Sequence, residues 1–306
     1  MNAAAVVAVV DMQTIADAVG LGAIYSLMAV GIGLVFGVLR LVNFAYGQLV
    51  MAGAYTLAFT SGWPVAASIA ACFVVVVALS LGMERAAFRP LRGQSPAVML
   101  VTTFALAFML QAVALLVDVR DDTIGESAGS FAGLRQAVDV AGVDVRRISI
   151  VAVVVAGVAL GGLALLLART TIGLHMRAAA VDFPTARLLG VRADRVIGLA
   201  VLLSALLAAT LAVILTVQQP LVTPGFALRE TIVVLVGVVV GGIDRLWTAT
   251  LGGFTIGFAM GVMNGALPTD KTVYLPSAVF ALVIVVLLLR PAGLFAWGRA
   301  AAPERV

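Results

Sequence analysis

Charge is what this 306-residue sequence has least of: 11% of its residues are Asp, Glu, Lys or Arg, while 63% are hydrophobic. Soluble domains carry roughly a quarter charged residues and about half apolar ones, so a water-soluble globular chain is excluded. Cysteine is nearly absent too. The single thiol, Cys72, cannot form an internal disulfide, and with His175 as the single histidine a His/Cys metal cage is ruled out. No GxxxxGK[ST] pattern occurs, so the chain carries no P-loop for nucleotide phosphates. No Ser/His pair or paired acids stand within an apolar run, which disfavours an intramembrane enzyme, and the catalytic set is empty. No Asp, Glu, Lys or Arg lies near the centre of a run, whereas proton- and sodium-coupled carriers usually keep such groups. The start, MNAAAVVAVVDMQ, contains no Lys or Arg and so lacks the basic region of a signal peptide. It reads as a short flank or as part of a tilted first helix.

What is present is long apolar runs, with a mean hydropathy of +1.17. Runs of about 20 residues match the hydrocarbon thickness as helices. They are continuous, unlike the alternating ten-residue strands of a membrane barrel. The pattern predicts an all-α integral membrane protein, a single transmembrane domain over 1–306, with segments near 19–39, 44–60, 64–82, 97–117, 148–168, 196–217, 229–242, 247–267 and 273–290. The second and seventh are short and read as broken or half-spanning helices, so eight spans or nine describe the same chain. The sequence pI near 9.8 points to arginines that set orientation rather than to nucleic acid. Placing 83–95 and 169–195 in the cytoplasm leaves Arg120, Arg135, Arg146, Arg147, Arg229 and Lys271 outside, and the rest of the 19 basic residues inside. That puts the N-terminus outside, the C-terminus in the cytoplasm, and 118–147 in an extracytoplasmic loop, read as a solvated connection or a docking face.

The segments before and after the fifth run in opposite senses, and each half has a break before its second segment: LRLVNFAYGQ at 39–48 and QPLVTPGFALRE at 219–230. Paired interruptions in inverted halves point to a transport site, because irregular backbone survives at membrane depth only inside protein or beside water. At the first break Asn43, Tyr46 and Gln48 bring hydrogen-bonding side chains beside Phe44. Gln219, Thr223 and Gly225 mark the break opposite. Both breaks also fit ordinary surface loops. Gln111 is a lone polar group inside the fourth run. The spacings Gly33–Gly37, Gly253–Gly257 and Gly257–Gly261 suit close helix packing.

The stretch 169–195, RTTIGLHMRAAAVDFPTARLLGVRADR, is polar and Arg-rich between apolar runs. Asp182 suits a helix N-cap, Pro184 the first turn, and Gly190 a left-handed stop. The spacing predicts a two-turn helix over 183–189 outside the membrane. So short a helix needs packing to hold it, from a soluble partner or from lipid headgroups.

These residues carry a family resemblance over about 14–298. GAIYSLMAVGIGLVFGVLRLVNFAYGQLVMAGAY resembles the opening of the LivH-like permeases, membrane subunits of branched-chain amino acid ABC importers. Tyr46 and Gln48 stand where that family more often has His and Glu. RAAAVDFPTARLLGVRADRV is similar to the family's cytoplasmic loop at Arg177, Ala178, Asp182, Ala186 and Gly190. GVVVGGIDRLWTATLGGFTIG and LLLRPAGLFAWG resemble its paired-glycine turn and its ending. The resemblance implies an importer subunit of the bacterial inner membrane, with Asn43, Phe44, Tyr46, Gln48, Gln219, Thr223 and Gly225 near the solute path. It implies an ATPase-coupling helix using Arg177, Asp182, Pro184, Ala186, Arg187 and Gly190. It also implies a LivM-like permease, two cytoplasmic ATP-binding subunits holding ATP and Mg, and an extracytoplasmic solute-binding protein, with no cofactor in this chain. Relatives that look alike import amino acids, urea or short amides. A passive channel remains the reading from a different class.

Overall fold

The computed structural model describes residues 12–39, 43–91, 94–118, 126–127, 137–140, 143–242, 245–267 and 273–290. Each of the nine apolar segments forms a helix. They are α1 (Met12–Leu39), α2 (Tyr46–Phe59), α3 (Val65–Met83), α4 (Pro96–Asp118), α5 (Arg147–Arg169), α8 (Ala193–Gln218), α9 (Leu228–Gly241), α10 (Leu246–Ala266) and α11 (Leu275–Leu289), with α6 (Thr171–Val181) and α7 (Phe183–Leu188) between α5 and α8. Six of these are long and apolar enough to cross a membrane. The helices α2 and α9 have 14 residues each, about 21 Å at 1.5 Å per residue, too short for about 30 Å of hydrocarbon. The described part of α11, at 15 residues, falls short as well, and the two shortest segments in the sequence are the two shortest of these nine helices.

Three differences from the sequence reading have local causes. α1 is already helical at Met12, seven residues earlier than expected, because Gln13, Thr14 and Asp17 interrupt the apolar run without breaking the helix. α3 runs on into a π-helical turn, Glu84–Phe88, in which Glu84 and Phe88 are buried. The stretch 118–147 is not wholly irregular. β2 (Ala137–Val140) pairs antiparallel with β3 (Val143–Arg146), Val138 opposite Val145 and Val140 opposite Val143. Repeated Val-Asp-Val alternation around two connecting residues is a hairpin signal. In addition, β1 (Glu126–Ser127) pairs with β4 (Leu221–Val222), with Ser127 opposite Leu221.

The contacts gather in two compact units. One comprises 1–30, 137–156 and 232–306. Its packing is carried by glycines on α10, since without a water-driven hydrophobic effect helices associate through close backbone contact. Gly253 lies on the Tyr25 carbonyl and on Ala29, Gly257 on Leu21 and Gly22, and Gly261 on Ala18. A Cβ at Gly257 would come within 2.8 Å of the Leu21 oxygen. The Tyr25 hydroxyl donates to Met260 Sδ at 3.2 Å across the same seam. Gly241 and Gly252 meet back to back, and Gly242 turns the chain with φ +103°. The two glycine pairs noted in 237–257 thus form one contact.

The second unit comprises 31–136 and 157–231, and its core is α2, α3 and α8. The buried residues of α3, Ser68, Cys72, Val76, Ser80 and Met83, recur every three or four positions, giving one narrow seam. Gly53 of α2 nests among Cys72, Val76 and Ala212. The Ser68 hydroxyl donates to the Thr60 carbonyl at 2.8 Å, and Ser204 to the Gly31 carbonyl at 2.7 Å. By contrast, α4 and α5 expose Val101, Phe108, Leu116, Val154, Val158 and Leu165, the apolar faces expected against lipid.

Candidate functional site

Both helix breaks belong to the second unit, and the structure brings them together. At the first, the Asn43 side chain accepts from the Ala45 amide at 3.0 Å and the Asn43 carbonyl accepts from Tyr46 N at 3.3 Å, so one asparagine organises the start of α2. Residues 40–42 lie outside the described residues. Tyr46 is fully buried, with its hydroxyl against Gly31, where no larger residue would fit. Phe44 is half-buried and stacks on Phe104 of α4, ring centroids 4.0 Å apart. Asn43 and Gln48 are buried as well.

At the second break, α8 ends as Gln219 N donates to the Leu215 carbonyl at 2.7 Å. The chain then passes through β4 and a turn in which Phe226 N donates to Thr223 O and Leu228 N to Gly225 O. Gln219 and Gly225 are exposed and Thr223 is half-buried. α9 starts with its Thr231 hydroxyl bonded to the Ala227 carbonyl at 2.6 Å. Gly47, second residue of α2, sits directly on that Ala227 carbonyl and Thr231 hydroxyl. The first turns of α2 and α9 therefore pack against each other. Sequence reasoning placed both breaks but not two residues at them: Thr216 and Glu230 each keep a buried side-chain oxygen without a hydrogen-bond partner, as do Tyr46 and Gln48. Unsatisfied buried oxygens call for an explanation in a folded chain.

The polar stretch after α5 holds two helices where the sequence suggested one. α5 stops at Thr170, whose hydroxyl donates to Leu166 O at 2.6 Å and accepts from Gly173 N at 3.1 Å, capping α6. Gly173 is pressed against the Leu166 and Leu167 carbonyls, so the sharp turn needs a residue without Cβ. No proline or glycine marks the end of α5 itself, which hid this helix. α6 buries Met176 and Ala179 and exposes Arg177. Asp182 then ends α6 and begins α7: its amide donates to Ala178 O at 3.2 Å, while its carboxylate accepts from the Thr185 amide at 3.2 Å and from the Thr185 hydroxyl. Those hydrogen bonds to Thr185, side chain first, hold the Asp182 carboxyl below its ordinary range.

α7 buries Ala186 and closes on a Schellman motif. Val191 N donates to Ala186 O at 3.1 Å, with Gly190 at φ +88°. The side chains of Pro184 and Arg187 lie outside the described residues. At the tip Leu188 and Leu189 are 88% and 80% exposed, a pair of large apolar side chains on a rigidly capped helix. The base of this region is tied by Arg89, just past α3, to Asp194 in the first turn of α8 at 3.2 Å, a pairing the sequence did not signal. Among the described residues no cluster of His, Cys, Asp or Glu could hold a metal ion.

Comparison with known proteins places this architecture. Residues 14–289 match the family described as branched-chain amino acid transport system / permease component. The chain is 31% identical over 296 residues to the high-affinity branched-chain amino acid transport system permease protein BraD of Pseudomonas aeruginosa, covering 92% of this chain and 95% of that one. It is 28% identical over 294 residues to the corresponding permease protein LivH of Escherichia coli, covering 92% and 94%. The fold resembles PsaBC from Streptococcus pneumoniae, with a TM-score of 0.52 at 11% identity over 95% of this chain and 97% of that one. It also resembles a metal-chelate type ABC transporter in an inward-facing conformation, with a TM-score of 0.51 at 17% identity over 91% and 87%.

Proposed function

This chain belongs to the branched-chain amino acid transport permease family, and from that premise we propose that it carries branched-chain or other hydrophobic amino acids across the bacterial inner membrane as one permease subunit of an ABC importer. It is a multi-pass membrane transport subunit. On our reading it performs no chemistry itself. ATP and Mg are handled by two cytoplasmic ATP-binding subunits, a second, LivM-like permease completes the membrane part, and an extracytoplasmic binding protein delivers the solute. The N-terminus faces outside and the C-terminus the cytoplasm.

The observation that carries this reading is the capped pair α6–α7 with Leu188 and Leu189 exposed at its tip. A helix of six residues persists only when it is held in place, and here both of its ends are fixed by hydrogen bonds. Such a tip suits insertion into an apolar groove of an ATPase, with Arg177, Asp182, Pro184, Ala186, Arg187 and Gly190 shaping it. Two exposed leucines each offer about 1.5–3 kcal/mol on burial, which favours seating of the tip in such a groove. Asn43, Phe44, Tyr46, Gln48, Gln219, Thr223 and Gly225 gather at the paired breaks, where interrupted helices suit a solute path.

Transport in proteoliposomes containing the assembled subunits tests the proposal. Gly190→Pro, which cannot adopt φ +88°, and Asp182→Arg should leave the chain inserted and ATP hydrolysis running while amino acid uptake is lost. Unchanged uptake in both variants would refute the coupling role. Uptake of urea or acetamide in place of leucine by the unaltered complex would instead assign a short-amide importer.

A further inference from the structure

The packing that holds the inner face of α6 leaves its outer face uncovered. Gly173, Met176 and Ala179 are buried, whereas Leu174, Arg177 and Val181 are exposed, Leu174 to 56% and Val181 to 84%. Steps of three and four residues put these three on one stripe, apolar at both ends with a guanidinium between. Where α6 starts decides what lies beside that stripe. Gly173 is pressed against Leu166 and Leu167, so α6 is rooted beside the last apolar turn of α5, a helix of 23 residues long enough to cross a membrane. On α5 the exposed residues Val158, Gly161, Leu165 and Arg169 also follow at steps of three and four, while Leu163 is buried. One lipid-facing stripe therefore runs down α5 and ends in an arginine, at the depth where hydrocarbon gives way to headgroups.

Charge selects among the possible coverings. Residues 169–195 hold Arg169, Arg177, Arg187, Arg192 and Arg195 against Asp182 and Asp194. Both aspartates are engaged, Asp182 by Thr185 and Asp194 by Arg89, so the arginine excess is left for something outside the chain. Hydrocarbon alone would desolvate Arg177 at a cost, and water alone would leave Leu174 and Val181 without apolar contact. A layer of anionic headgroups suits all three, with phosphate for the guanidinium and the upper acyl chains for the leucine and valine. We propose that the Leu174–Arg177–Val181 face of α6 rests on anionic lipid headgroups of the leaflet at which α5 ends, holding the α6–α7 pair against the membrane surface. This contact needs the membrane character of the chain but no particular solute and no docked ATPase, so failure of the import reading leaves it standing.

The test puts a bimane probe on the stripe through Val181→Cys in the full chain, held in nanodiscs, the natural thiol of Cys72 being buried. Brominated phosphatidylglycerol should quench the probe better than brominated phosphatidylcholine at equal mole fraction. The expected preference is about fivefold, equivalent to about 1 kcal/mol for one arginine at an anionic surface. Arg177→Gln should bring the preference close to one, Arg177→Lys should keep it, and added salt should weaken it. A probe at Leu174→Cys should behave in the same way, so that misfolding of either labelled variant leaves the other to decide. Should Arg177→Gln fail to insert, the salt series on Val181→Cys decides alone. Quenching by aqueous iodide and by neither brominated lipid overturns the proposal, because the face then lies in water. Equal quenching by the two lipids overturns it as well, since no headgroup charge is recognised. Loss of the lipid quenching on adding the ATP-binding subunits assigns the face to them instead.

Discussion

Gly31 and Gly47 show how single residues set the first break. Tyr46 reaches back to lie against Gly31, and Gly47 rests on the Ala227 carbonyl and Thr231 hydroxyl. Gly47→Val should therefore overpack the contact at a cost of about 1–3 kcal/mol and lower the thermal midpoint of the purified protein in detergent. Gly225→Ala, with open space around its Cβ position and no positive φ, should leave that midpoint unchanged. The polar identity of Asn43, Tyr46 and Gln48 was legible in the sequence, because hydrogen-bonding residues inside an apolar run stand out. The need for Gly31 was not, since its partner is brought to it by tertiary folding. Asp182 adds a pH signature. Its carboxyl titrates below the usual range, so the stabilisation it gives α7 is present above the unfolded-state value and is lost as pH falls through the lower folded-state value. Protection of the α7 amides, taken relative to the intrinsic exchange rate at each pH, should fall on acidification below the ordinary carboxylate range. Asp182→Asn, which can still cap, should remove that dependence.

At the scale of elements, the apolar runs gave nine helices with ends mostly within a few residues, since continuous hydrophobicity is a strong signal. The signals that failed were short ones. α6 escaped because Thr170 interrupts the helix without proline or glycine. The β2–β3 hairpin escaped because its strands have four residues each, and β1–β4 because two residues carry no periodicity at all. α7 was readable because cap, proline and glycine stand in order. Its exposed tip carries the next prediction: Leu188→Asp with Leu189→Asp should abolish co-purification of the ATP-binding subunits while the permease still inserts. Retained co-purification in that double variant would place the docking surface elsewhere.

For the whole molecule, orientation and dependence on partners can be measured directly. A fluorescent protein fused after Val306 should be bright in the cytoplasm, and alkaline phosphatase inserted within 128–136 should be active outside. The reverse pattern would invert the topology drawn from the arginines. Vesicles holding this chain alone should show no leucine flux, whereas a passive channel would conduct. Membrane character and family were open to sequence reading because composition and motifs span the chain. The meeting of the two breaks was not, because each is a local irregularity and their contact depends on how α2, α8 and α9 pack.

Cys72 has a consequence for how such a molecule can be interrogated. Its thiol is fully buried on the α3 seam, beside Gly53 and 4.0 Å from the Ala209 carbonyl. Water-borne maleimides cannot reach it, so the natural chain already behaves as a cysteine-free background. A thiol placed at Leu189 or at Gln219 would then report its own accessibility, or its distance to a second probe, with no alteration to the core.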